Sequence, residues 1–131
     1  MSCTRYEGNP FEVGQTLKVT AVPKDGAKFF QVDIGNDNGE VVLQINPRFN
    51  DKKVSFNTHT GGEWKENKVY EEGFPFQHKE EFTITVLFKP NEFLVTLPGG
   101  PKIQYPNYLG KEKYTCLAVN GEVHVNKIGI N

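Results

Sequence analysis

Residues 82–88 read Phe82-Thr83-Ile84-Thr85-Val86-Leu87-Phe88. Phe82, Ile84, Val86 and Phe88 take every second position, with Thr83 and Thr85 on the other face. Successive side chains of an extended chain point to opposite sides, so this stretch predicts a strand with one face buried. The same alternation continues outward in both directions. Leu17, Val19 and Ala21 alternate with Lys18 and Thr20, and Phe30, Val32 and Ile34 with Gln31 and Asp33. Phe93, Val95 and Leu97 repeat it, as do Val123 and Val125. No stretch carries apolar residues at helical spacing. The stripes are separated by turn chemistry: Lys24-Asp25-Gly26, Asn36-Asp37-Asn38-Gly39, Lys89-Pro90-Asn91-Glu92 and Pro98-Gly99-Gly100-Pro101. Asn120-Gly121, between two apolar runs, reads as a hairpin. Short strands with such punctuation predict an all-β antiparallel sandwich or barrel.

The chain has 131 residues, which makes residues 1–131 one domain, large enough to bury a core unaided. Hydrophobic residues at 37% and charged residues at 24% argue for a globular protein and against disorder. Fifteen Lys and Arg against 16 Asp and Glu leave a net charge of −1. That balance offers no basic field to nucleic acid or to an anionic membrane surface. No run of apolar residues is long enough for a membrane-spanning helix, so membrane insertion is not expected. The opening residues 1–14 contain no apolar segment, so no secretory signal is expected either. Cys3 and Cys116 are the only cysteines and read as two free thiols. His59, His78 and His124 are scattered and no CxxC pair exists, so neither a metal site nor a cofactor is implied. An enzyme is not indicated. Glu63, Glu66, Glu71 and Glu72 read as a solvated loop rather than the paired carboxyls of a glycosidase. No Ser or Cys has a nearby base to make it a nucleophile.

One strand differs from the rest. In Val41-Val42-Leu43-Gln44-Ile45-Asn46-Pro47-Arg48-Phe49, Leu43 and Ile45 share one face. Gln44, Asn46 and Arg48 share the other, a row of two amides and a guanidinium. Pro47 cannot donate to a ladder, so the sheet should be bulged, edge-like or ending there. The short turn between Phe49 and Val54 predicts a hairpin that sets Asn57 beside the row. Trp64, the only tryptophan, follows in a polar segment. A lone tryptophan is usually core, but polar neighbours on both sides favour an exposed ring. A polar sheet face is commonly just solvated. With a flat aromatic beside it, the same face suits a sugar, whose C–H face packs on the ring while its hydroxyls meet donors and acceptors.

Here the residues resemble the galectins, the β-galactoside-binding jelly-roll lectins. The family runs His-x-Asn-Pro-Arg, then Asn, then Trp-Gly-x-Glu-x-Arg. This chain has Gln44-Ile45-Asn46-Pro47-Arg48, then Asn57, then Trp64-Lys65-Glu66-Asn67-Lys68-Val69. Further similarity lies in Glu12 to Val19, Phe74-Pro75-Phe76-Gln77 (similar to a strand opening), Phe93 to Pro98, Tyr105-Pro106-Asn107-Tyr108 and Gly121-Glu122-Val123. The resemblance spans nearly the whole chain in the single-domain, prototype form. Its C-terminal half is most similar to prototype galectins of fish.

The resemblance implies a two-sheet antiparallel β-sandwich, a jelly roll, with a carbohydrate site at Gln44, Asn46, Arg48, Asn57 and Trp64. It implies glycan ligands on glycoproteins or glycolipids, and a homodimer able to crosslink them. It also implies cytoplasmic synthesis and export to the cell exterior without a signal peptide. The sequence departs from the pattern at several positions. Gln44 replaces the histidine that donates to the axial 4-hydroxyl of galactose. Counted directly from Trp64, the family glutamate falls on Asn67 and the arginine on Val69. A register shifted by one residue makes Glu66 the acceptor and Lys68 the cation instead. Both registers stay open at this level. Galactose selectivity is therefore expected to be weakened or altered. The alternative is a galectin fold kept as a structural or interaction protein that has lost sugar binding.

Overall fold

The computed structural model describes residues 10–65 and 68–131. Among the described residues the regular structure is all strand. In chain order these are β1 (Phe11–Glu12), β2 (Thr16–Pro23), β3 (Phe30–Gly35), β4 (Val41–Arg48), β5 (Lys53–Thr60), β6 (Glu63–Trp64) and β7 (Lys68–Tyr70). They continue with β8 (Phe82–Phe88), β9 (Glu92–Thr96), β10 (Lys102–Pro106), β11 (Lys113–Tyr114), β12 (Cys116–Gly121) and β13 (Val123–Ile130). One sheet runs β10-β9-β8-β2-β13. The other runs β12-β3-β4-β5-β6, with β7 also paired to β5. Every ladder is antiparallel.

The period-two stripes become the facing surfaces of the two sheets. On β8, Phe82, Ile84, Val86 and Phe88 are buried while Thr83, Thr85 and Leu87 are half-exposed. Across from them the other sheet contributes Phe30, Val32, Ile34, Leu43, Ile45 and Phe56, all buried. Phe30 and Phe82 stack between the sheets with ring centres 5.0 Å apart. A polar tie joins the layers as well. The Thr58 hydroxyl donates to the Val42 carbonyl at 2.8 Å. Its single proton is thereby used, so the 2.7 Å contact to Tyr105 must have the phenol as donor. Among the described residues no helix is long and apolar enough to cross a membrane, and no cluster of three or more His, Cys, Asp or Glu could hold a metal ion.

The structure corrects three local readings. Asn120-Gly121 does not close a hairpin: β12 pairs with β3 and β13 with β2, so the chain crosses from one sheet to the other. Gly121 serves the crossing by close approach. With φ at 102°, an added Cβ would stand 2.7 Å from the Phe30 Cα. Phe74-Pro75-Phe76-Gln77 opens no strand, and Phe76 instead packs edge-on against Phe30 and Phe82. Cys116 is disulfide-bonded and not a free thiol; Cys3 lies outside the described residues. Of the three readings of Pro47, the strand ending there holds: β4 stops at Arg48, one residue on, and, since β4 lies between β3 and β5, the proline interrupts only the ladder to β3.

Candidate functional site

Pro47 explains how the site is built. The β3–β4 register pairs Val32 with Ile45, lapses, and returns as a bridge between Phe29 and Arg48. One step further on, Phe49 N–H donates to the Lys28 carbonyl at 2.8 Å. Hydrogen-bonded pairs alternate in an antiparallel ladder. By that alternation Phe30 and Pro47 face each other at a bonded position, where proline has no N–H. The Asn46 side chain supplies the missing donor, giving its Nδ2 hydrogen to the Phe30 carbonyl at 2.7 Å. Its Oδ1 is left to accept from Arg48 Nε at 2.9 Å. Asn-Pro-Arg is thus a unit: proline orphans a carbonyl, asparagine caps it, and the capped amide holds the guanidinium in place.

On the outer face of this sheet the side chains form a grid. Asp33, Gln44 and Asn57 lie side by side across β3, β4 and β5. Asn46 stands opposite Ser55 on β5. The Asn57 Oδ1 accepts from the Thr58 N–H at 2.8 Å, which leaves its NH2 as the donor end. His59 pairs with Trp64, and their rings lie 4.8 Å apart. Trp64 is 48% exposed. Gln44, Asn46, Arg48, Asn57 and Trp64 together line an open groove of about 750 Å³. The sequence had singled out all five, and the fold brings them together.

The other candidates are placed differently. Glu66 and Asn67 lie outside the described residues. Lys68 does not join the groove. It pairs with Phe56, whose side chain enters the core, and its ammonium donates to the Gln104 carbonyl at 2.8 Å. Val69, one residue on, pairs with Ser55 and so falls on the groove side, 45% exposed. The alternation of faces therefore separates Lys68 from the row. Sequence reading passed over Phe29, Gln31 and Ser55, which line the same groove, and Asp33, which lines its continuation beside Gln44, His59 and Trp64. Gln31 and Asp33 carried a signal: they are the polar teeth of the Phe30-Val32-Ile34 stripe.

Asp33 is 2% exposed. Burial raises its pKa above the ordinary carboxylate value, opposed by amide donors on Gln44 and Gln31. A raised pKa means that the folded state holds this proton more tightly than the unfolded state. Stability from this group is then fully present below the ordinary value of 3.8 and is lost as pH rises through the raised one. The stability difference between wild type and Asp33→Asn should therefore move in favour of wild type as pH falls from about 7 to about 4. Denaturant titrations of both proteins check this, and a difference that stays constant with pH would contradict it.

A β-sandwich with amides, a guanidinium and an exposed indole converging on one sheet face is the architecture of a lectin. The family model for galactoside-binding lectins matches residues 4–130. The chain belongs to this family, the galectins, whose members bind sugars and are not enzymes. It is 38% identical over 101 residues to a β-galactoside-binding lectin of Electrophorus electricus, covering 74% of this chain and 78% of that one. It is 32% identical over 108 residues to galectin-2 of Homo sapiens, covering 82% and 81%. Among solved structures, galectin-1-L2 of Dario rerio superposes with a TM-score of 0.91 at 36% identity, covering 98% of both chains. A lactose-liganded congerin II shares the fold, with a TM-score of 0.89 at 18% identity over 99% of this chain and 100% of that one.

Proposed function

We propose that this chain binds β-galactosides such as lactose in the Gln44–Trp64 groove, with weakened or altered selectivity, and crosslinks glycoconjugates as a homodimer. The observation that carries the reading is the convergence of Gln44, Asn46, Arg48 and Asn57 beside an exposed Trp64 in a single groove. The Electrophorus relative is itself a β-galactoside-binding lectin. For the dimer, the support is β13, which among the described residues pairs on one side only, with β2. Such an edge offers a second copy a row of free main-chain groups. A disulfide at Cys116 fits action outside the cell after cytoplasmic synthesis and unconventional export.

Isothermal calorimetry with lactose tests the reading, and the single tryptophan provides an independent signal. Lactose stacked on Trp64 should shift or quench the emission in step with the heat. Heat without any change in emission would place the sugar elsewhere. Gln44→His should raise lactose affinity by about 1 kcal/mol, roughly fivefold, because an imidazole has fewer torsions to order than a glutamine. A second reading, an interaction protein that has lost sugar binding, is favoured by Val69 standing on the groove side where the resemblance sets an arginine. Absence of lactose binding, with the fold intact by circular dichroism, would select it.

A further inference from the structure

A buried carboxylate, Asp33, stands beside Gln44 on the sheet face that carries the groove. We infer that Asp33 is a positioning residue: it holds the NH2 end of the Gln44 amide, so that Gln44 meets the sugar's 4-hydroxyl with its carbonyl oxygen, as an acceptor. The inference deepens the galactoside reading and rests on it.

Asp33 and Gln44 are direct cross-strand neighbours on the same face. Both line the end of the groove that continues past Trp64. One Asp33 oxygen, Oδ2, accepts from Gln31 Nε2 at 3.2 Å. The other, Oδ1, is fully buried and has no bond of ordinary length and angle. A buried carboxylate oxygen needs a donor, since leaving it without one is costly. Gln44, the cross-strand neighbour on the same face, is the amide placed to supply that donor. An ionised carboxylate can only accept, so the atom that Gln44 turns towards β3 must be its nitrogen. The two ends of an amide diverge, and the carbonyl oxygen is left to face the groove. Arg48, also in the groove, carries donors only. A hydroxyl placed between the two accepts from Arg48 and donates to Gln44. The glutamine therefore has one fixed polarity, not the free choice that its two-ended amide suggests.

The consequence is read with a sugar whose 4-substituent accepts but cannot donate. Wild type should bind 4′-deoxy-4′-fluorolactose about tenfold more weakly than lactose, one hydrogen bond having been lost. In Asp33→Ala the amide is free to turn its NH2 to the fluorine, and the ratio should fall to about threefold or less. Gln44→Ala, which removes the acceptor outright, should narrow the ratio in the same way and covers the case in which Asp33→Ala does not fold. Without ligand, the side-chain NH2 resonances of Gln44 should move between wild type and Asp33→Ala, as they must if the carboxylate is their partner. Equal affinities of wild type for the two sugars overturn the inference alone. So does a tenfold ratio that persists unchanged in both variants, because the loss then arises at Arg48. No binding of lactose by the folded wild type removes the galactoside reading and this inference with it.

Discussion

Arg48→Ala should weaken lactose binding by at least tenfold, and by up to about a hundredfold, while the protein stays folded. The side chain is exposed at the end of β4, and its Nε donates to Asn46 at 2.9 Å. That bond fixes the plane of the guanidinium and leaves its terminal N–H groups facing the groove. Hydrogen bonds from a charged donor contribute roughly 1.5–3 kcal/mol, which is about ten- to a hundredfold in affinity. The fold should hardly notice, because exposed positions outside special features tolerate substitution to within about 0.5 kcal/mol. The one partner left behind is Asn46 Oδ1, on a residue that lines the groove. Arg48→Lys should recover only part of the loss, because an ammonium lacks the planar fork that reaches Asn46 and the sugar together. Calorimetry with lactose, paired with a thermal melt, separates the two effects. Unchanged affinity in a folded variant would move the site off this row.

This site was legible because its logic is local. Gln44, Asn46 and Arg48 lie on one strand, and a period of two settles which residues share a face. The turn between Phe49 and Val54 fixes the β4–β5 register, which brings Asn57 alongside Gln44. What stayed hidden depends on contacts far apart in sequence. Asp33 looks like any outward polar tooth until β4 and β12 close on both sides of it. Its burial follows from neighbours that no stretch of β3 specifies. Asn120-Gly121 has the same turn chemistry whether the chain doubles back within a sheet or crosses to the other one, and only the partners of β12 and β13 decide between them. Lys68 shows how sharp the alternation is. The shifted register that made it the cation differs by one residue, and one residue reverses the face.

Phe30→Ala should cost the fold about 3–5 kcal/mol, the usual toll for a large aromatic removed from a core. Phe30 has no exposed surface. Its ring is stacked on Phe82 at 5.0 Å and meets Phe76 edge-on at 5.4 Å, so it touches both the opposite sheet and the loop that closes the sandwich. Relaxation has little scope. Gly121 passes close over its Cα, and Asn46 holds its carbonyl at 2.7 Å, so the backbone of β3 cannot sink to fill the hole. Domains are stable by about 5–15 kcal/mol, so the variant should retain only part of its margin. For a chain of this length the melting temperature should fall by roughly 10–20 °C. Binding should respond in the opposite way to Arg48→Ala. The carbonyl that Asn46 caps belongs to the main chain and survives the substitution. The folded fraction at low temperature should therefore bind lactose nearly as wild type does. A loss of affinity greater than the loss of folded protein would show that the Phe30 ring, and not its carbonyl alone, sets the position of Asn46 and Arg48. A melt lowered by only a few degrees would mean that the aromatic cluster of Phe49, Phe76 and Phe82 repacks into the space.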